Sequence, residues 1–175
     1  MSLHDIDKVK HFTDKELDKF LVFCLLDRAM PYTRVCEIFD ELDSYDMTIR
    51  DSIKNKTLNE IREILKKNGH RFPNQTSTYI KEFGNSTIDL RNISRDELIS
   101  KVRGIGLKLA SMFLRNTRGD KVAVIDRHIR NWLKEQGIEE QSYKKLEIEF
   151  LKKCEELNKN PYELDIEIWQ LRRRK

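Results

Sequence analysis

Residues 102–110 read V-R-G-I-G-L-K-L-A, and Asp126 follows Lys108 by eighteen positions in the run V-I-D-R-H. Two glycines one residue apart, Gly104 and Gly106, between apolar neighbours permit a tight turn with φ > 0 and a close approach of the backbone to a partner such as a DNA phosphate. Upstream, Ser94-Arg95-Asp96-Glu97 has the form of a capping box opening a short amphipathic helix. Downstream, Leu109, Met112 and Phe113 recur at helical spacing. The pattern predicts helix, Gly-x-Gly hairpin, helix over about 94–117. Taken alone, the two glycines equally fit a purely structural C-cap turn.

Lys108 falls in the first turn of the second helix. There the positive end of the helix dipole disfavours an ammonium by about 0.3–1 kcal/mol and so favours a neutral, nucleophilic amine. The alternative is a solvated lysine on a helix face. Asp126 comes after Val122-Ala123-Val124-Ile125, an apolar run that must be buried, and before Ile129, Trp132 and Leu133 at helical spacing. It therefore reads as a helix N-cap. The buried approach brings its carboxylate to the edge of the core, where a capping residue could also face a cationic transition state.

A chain of 175 residues can bury one substantial core, with one or two helical lobes. The net charge of +4 is unevenly spread: residues 101–134 hold nine basic and two acidic side chains, and residues 172–175 are all basic. Basic charge thus concentrates around the hairpin, as a phosphate-binding surface requires, although 37% charged residues also fits a protein laced with ion pairs. Cys24, Cys36 and Cys154 have no C-x-x-C or histidine spacing, so no zinc site or four-cysteine iron–sulfur cluster is expected. Cys24, in L-V-F-C-L-L, reads as core. With no signal peptide and no apolar run long enough for a span, the chain is expected to be soluble and intracellular, cytoplasmic or nucleoid-associated, without a membrane partner.

Periodicity is helical almost throughout. Capping boxes stand at Thr13-x-x-Glu16 and Thr57-x-x-Glu60, and Pro73 and Pro161 mark helix starts. Helices are expected over 14–28, 32–42, 58–68, 73–83, 95–102, 108–116, 127–136, 143–158 and 161–173. The strand-like run 122–125 is too short and isolated to build a sheet.

In combination, these motifs resemble the helix-hairpin-helix DNA glycosylases, whose signature joins a Gly-x-Gly hairpin, a lysine two residues on in bifunctional members, and a later aspartate. The resemblance is specific to the small archaeal-type 8-oxoguanine DNA glycosylase/AP lyases. It is carried by G-I-G-L-K-L-A-S-M-F-L-R-N at 104–116, V-A-V-I-D-R-H-I at 122–129, G-H-R-F at 69–72 and E-L-D-I-E-I-W at 163–169. It covers the chain from about residue 14 onward; the segment before that matches poorly, and Arg103 stands where many members of the wider superfamily carry proline.

The resemblance implies an all-α fold in which two closely packed helical lobes flank an active-site cleft, the whole of 1–175 forming a single glycosylase domain. It implies excision of 8-oxoguanine through a Schiff base on Lys108, with Asp126 stabilising oxocarbenium charge and β-elimination nicking the strand. Double-stranded DNA containing a damaged base is the implied partner, with a monomeric protein, no metal and no cofactor. Arg103, Gly104 and Gly106 would anchor a phosphate. The damaged nucleotide must be rotated out of the duplex, and Arg71 and Phe72 are nominated to fill the gap; Phe72 could instead staple its helix to the core. Trp169 and Lys175 are nominated to read the extruded base, a packed core tryptophan being the alternative for Trp169. His70 and Trp132 are read as structural. A non-catalytic DNA-binding module and a glycosylase for another damaged base are the competing functions.

Overall fold

The computed structural model describes residues 12–28, 30–44 and 46–173. It is all-helical, with ten helices: α1 (Asp14–Leu26), α2 (Tyr32–Leu42), α3 (Ile49–Asn55), α4 (Leu58–Lys67), α5 (Pro73–Asn85), α6 (Arg95–Lys101), α7 (Leu107–Arg118), α8 (Arg127–Glu135), α9 (Tyr143–Glu156) and α10 (Pro161–Arg173). Every expected helix is present, with ends displaced by a few residues at most. The described residues fall into two compact units, one ending at Gly106 and the other beginning at Leu107.

In the first unit α1 is apolar all round from Phe20 onward, as the buried part of a helix must be: Leu17, Phe20, Leu21, Val22, Cys24, Leu25 and Leu26 are buried. Thr13 starts it by accepting the Glu16 N–H, while the Glu16 carboxylate returns to the Thr13 N–H at 2.8 Å. The same reciprocal cap opens α4 at Thr57 and α6 at Ser94. Helix α3 was not anticipated from the sequence. Its signal is Thr48-x-x-Asp51, in which the Thr48 hydroxyl accepts the Asp51 N–H at 3.1 Å. Gly84 of α5 meets α3 so closely that a Cβ there would stand 2.3 Å from Ile53 Cγ2. Arg50 pins the segment after α5 to α1, donating to Asp18 at 2.6 Å, to Ser86 O at 2.8 Å and to Ile88 O at 2.7 Å.

The second unit is built on one apolar cluster comprising Ala123, Ile125, Ile129, Leu133, Leu146, Phe150, Cys154, Leu164 and Ile168. Burying each large member contributes about 1.5–3 kcal/mol relative to exposure. Trp132 packs on this cluster, edge-on to Phe150 at 6.0 Å between ring centroids, which is the structural part expected of it. The apolar run 122–125 forms no regular element, and no strand occurs among the described residues. Three of its backbone groups are satisfied by α9 instead of by a sheet: Glu147 accepts the Ala123 N–H at 3.1 Å, while the Tyr143 hydroxyl accepts the Ile125 N–H at 3.2 Å and donates to Ala123 O at 2.9 Å. This clamp delivers the chain to Asp126 in a fixed direction.

Candidate active site

The hairpin forms as the glycine spacing requires, but its two glycines differ. Gly104 has φ +91°, and a Cβ there would stand 2.3 Å from Tyr79 Cδ2, so only glycine fits. Gly106 has no positive φ, and a Cβ on it would meet nothing within 4 Å. The expectation of φ > 0 therefore holds for one glycine of the pair, while the other leaves open space over an exposed backbone. Among the described residues the Ile105 N–H bonds to Val102 O at 3.2 Å, whereas no hydrogen bond from the N–H of Gly104 or Gly106 is formed.

Around the hairpin, cations and aromatic rings alternate within the first unit. Arg103 lies 5.3 Å over the Tyr79 ring, Arg28 lies 5.6 Å from Tyr79 and 5.3 Å from Phe72, and Arg71 lies 5.3 Å over Phe72. The array brings Arg71 and Phe72 onto the surface that carries Arg103 and Gly104. Phe72 keeps 37% of its surface exposed at the N-cap of α5, so it is not a staple sunk in the core. Arg103 is also paired with Glu82 at 2.9 Å. His70 is buried, and its Nδ1 accepts the Phe72 N–H at 3.0 Å, bracing the loop. Burial holds its imidazole below the ordinary value, which suits the neutral form that this bond needs. Sequence reasoning missed Arg28 and Tyr79, which lie far from the hairpin in sequence and bear no motif.

In the second unit Lys108 is the second residue of α7 and half-buried. Asp126 is the N-cap of α8, and its Oδ1 accepts the N–H of His128 at 2.7 Å and of Ile129 at 2.9 Å. The cap uses one carboxylate oxygen; among the described residues Oδ2 takes no hydrogen bond. A second carboxylate joins them. Asp165 of α10 accepts from Arg115 of α7 at 2.6 Å, and burial raises its carboxyl above the usual range against the opposing pull of Arg115. The charges of Asp126 and Lys108 also reach Asp165, with opposite signs, which places all three in one electrostatic neighbourhood. Sequence reasoning did not single out Asp165. Trp169 of α10 is 37% exposed while Ile168 and Leu164 face the core, so the ring is not packed inside. Lys175 lies outside the described residues.

These elements make the fold of the helix-hairpin-helix DNA glycosylases. A crystal structure of the Methanocaldococcus jannaschii 8-oxoguanine glycosylase/lyase, bound to a 15-mer DNA containing 8-oxoguanine, is similar with a TM-score of 0.75 and 30% sequence identity, over 99% of this chain and 88% of that one. The 8-oxoguanine DNA glycosylase of Thermotoga maritima shares the fold at a TM-score of 0.76 and 24% identity, over 95% of this chain and 84% of that one. In sequence, the 8-oxoguanine DNA glycosylase/AP lyase of Methanocaldococcus jannaschii is 32% identical over 186 residues, which cover 97% of this chain and 86% of that protein. Residues 2–165 match the family of 8-oxoguanine DNA glycosylases, and the chain belongs to that family.

Proposed function

We propose that this protein is a bifunctional DNA repair enzyme that excises 8-oxoguanine and then cleaves the strand, using Lys108 as nucleophile. The observation that carries this reading is that one compact unit holds both groups half-buried, Lys108 in the first turn of α7 and Asp126 at the N-cap of α8 with only Oδ1 engaged by the cap. The amine of Lys108 forms a bond to C1′ while the glycosidic bond breaks, its electron pair leaving with the base. The carboxylate of Asp126, already oriented by its cap, stabilises the developing oxocarbenium charge. Opening of the sugar gives a Schiff base whose iminium acidifies the 2′ proton. Loss of that proton expels the 3′ phosphate and nicks the strand.

Membership of a family whose relatives carry the name 8-oxoguanine DNA glycosylase/AP lyase supports the substrate. The N–H groups of Gly104 and Gly106, with Arg103, supply a phosphate anchor that costs little reorganisation. Arg71 and Phe72 fill the gap left by the extruded nucleotide, the ring wedging against the stack and the guanidinium meeting the orphaned base. Trp169 offers the extruded base a flat surface, with Lys175 following in sequence. The whole chain serves as one glycosylase domain, acts as a monomer inside the cell where its DNA lies, and needs no metal or cofactor. Among the described residues no helix is long and apolar enough to cross a membrane. The direct test is incubation with end-labelled duplexes carrying 8-oxoguanine, uracil or an undamaged base. Strand nicking confined to the 8-oxoguanine duplex supports the reading, and nicking of the uracil duplex alone overturns the assigned substrate.

A further inference from the structure

The Arg115–Asp165 pair has no part in the mechanism above, yet it lies beside the residues that do. Its side chains keep only 7% and 16% exposure, and its partners come from helices fifty positions apart. A buried ion pair is weak evidence for stability, because desolvation consumes most of the attraction between the charges. On α7, Arg115 stands seven positions beyond Lys108, two helical turns, so both side chains share one face. Ser111 lies between them on that face, fully buried, 3.3 Å from the Tyr143 hydroxyl that also clamps the run leading to Asp126. The titratable groups around the pair are Lys108 on α7, Asp126 at the cap of α8, Cys154 on α9 and Tyr162 on α10, whose ring lies 5.3 Å under Arg115. Burial pushes the Cys154 thiol up to about 11 and raises the Tyr162 phenol, so both are neutral at ordinary pH and the field at Lys108 is left to the charged groups.

We propose that Asp165, pinned by Arg115, is a positioning residue that sets the charge environment of the Lys108 amine for Schiff-base formation. The inference rests on Lys108 being the nucleophile. Attack requires a neutral amine. A lone carboxylate nearby would hold the ammonium, and a lone guanidinium would expel its proton early. Joined at 2.6 Å, the two largely cancel, and Asp126 is left as the carboxylate that steers the amine.

The test is the pH dependence of borohydride trapping on an abasic duplex, which isolates the amine chemistry from base recognition. Wild type, Asp165→Asn, Arg115→Gln and the double variant are compared, with thermal melting of each in parallel. Asp165→Asn leaves Arg115 uncompensated and moves the acid limb of the trapping rate to lower pH. Arg115→Gln leaves Asp165 uncompensated and moves it to higher pH. A displacement of about one pH unit changes the rate on that limb about tenfold, and the double variant returns to the wild-type limb. Opposite displacements from the two ends of one ion pair are not a signature of lost packing, and either single variant that folds tests its own predicted direction. Folded single variants that lose rate with the limb unmoved, or moved the same way, overturn the proposal. So does a double variant that folds and traps with a displaced limb, which keeps the test decisive where neither single variant folds. Trapping that persists in Lys108→Gln removes the nucleophile assignment itself, a failure distinguishable from the others.

Discussion

Tyr79 closes over Gly104 so tightly that a Cβ on residue 104 would stand 2.3 Å from its Cδ2, while Gly106, two positions on, faces open space. The two glycines of the hairpin therefore have different reasons to be glycine. Gly104→Ala meets a positive φ and an aromatic ring together, and is expected to destabilise the protein by at least about 1–2 kcal/mol. Gly106→Ala should melt within about 0.5 kcal/mol of wild type but bind duplex DNA more weakly, because the added methyl occupies the approach to the backbone. Equal melting losses in the two variants would contradict this division.

Asp126 combines a cap with a charge, and substitution separates them. Asparagine keeps an acceptor for the N–H groups of His128 and Ile129, so Asp126→Asn should fold nearly as well as wild type and lose most of the excision rate. Asp126→Ala loses the cap as well and should be less stable by about 1 kcal/mol. Chemical denaturation of both variants beside single-turnover excision would check this; full activity in Asp126→Asn would leave the aspartate a cap and nothing more.

Arg103 is held by Glu82 at 2.9 Å on an exposed surface, where such a pair contributes little to stability. Glu82→Gln releases the guanidinium and removes a negative charge from the proposed phosphate path. Affinity for duplex DNA should rise several-fold and melting should stay unchanged. For each additional phosphate neutralised, the log–log salt slope should steepen by about 0.9. An unchanged slope and affinity would place the phosphate path elsewhere.

The cap that opens α6 is pH-dependent. Lys101 and, next, Ser94 hold the Glu97 carboxyl at about 2, below its ordinary 4.5. A carboxyl depressed in the folded state stabilises the fold above the ordinary value and loses that contribution as pH falls through the folded one. The melting difference between wild type and Glu97→Gln should therefore be widest above pH 4.5 and close toward pH 2. A difference constant over that range would show that the carboxylate is not engaged.

Most of the fold was legible because its boundaries are written in local chemistry. Thr13, Thr57 and Ser94 announce their helices with a glutamate three residues later, and Pro73 and Pro161 stand at the first positions of α5 and α10. Helix α3 escaped because its seven residues present little periodicity, although Thr48-x-x-Asp51 marked its start. Within the candidate site, spacing put Lys108 in the first turn of α7 and Asp126 at the N-cap of α8, where both stand, while the roles proposed for them came from the family resemblance. The difference between Gly104 and Gly106 could not, since it depends on Tyr79, which reaches the hairpin only through the packing of α5. The Arg115–Asp165 pair was equally hidden: an ion pair between distant helices leaves no mark on the sequence near either partner.

The most direct measurement is borohydride trapping on a labelled duplex carrying 8-oxoguanine opposite cytosine, with wild type and Lys108→Gln side by side. A covalent adduct that requires both the lesion and the lysine, with DNA affinity of the variant kept within several-fold, is the result predicted. Ordinary turnover of the 8-oxoguanine duplex by Lys108→Gln would contradict the account at its centre.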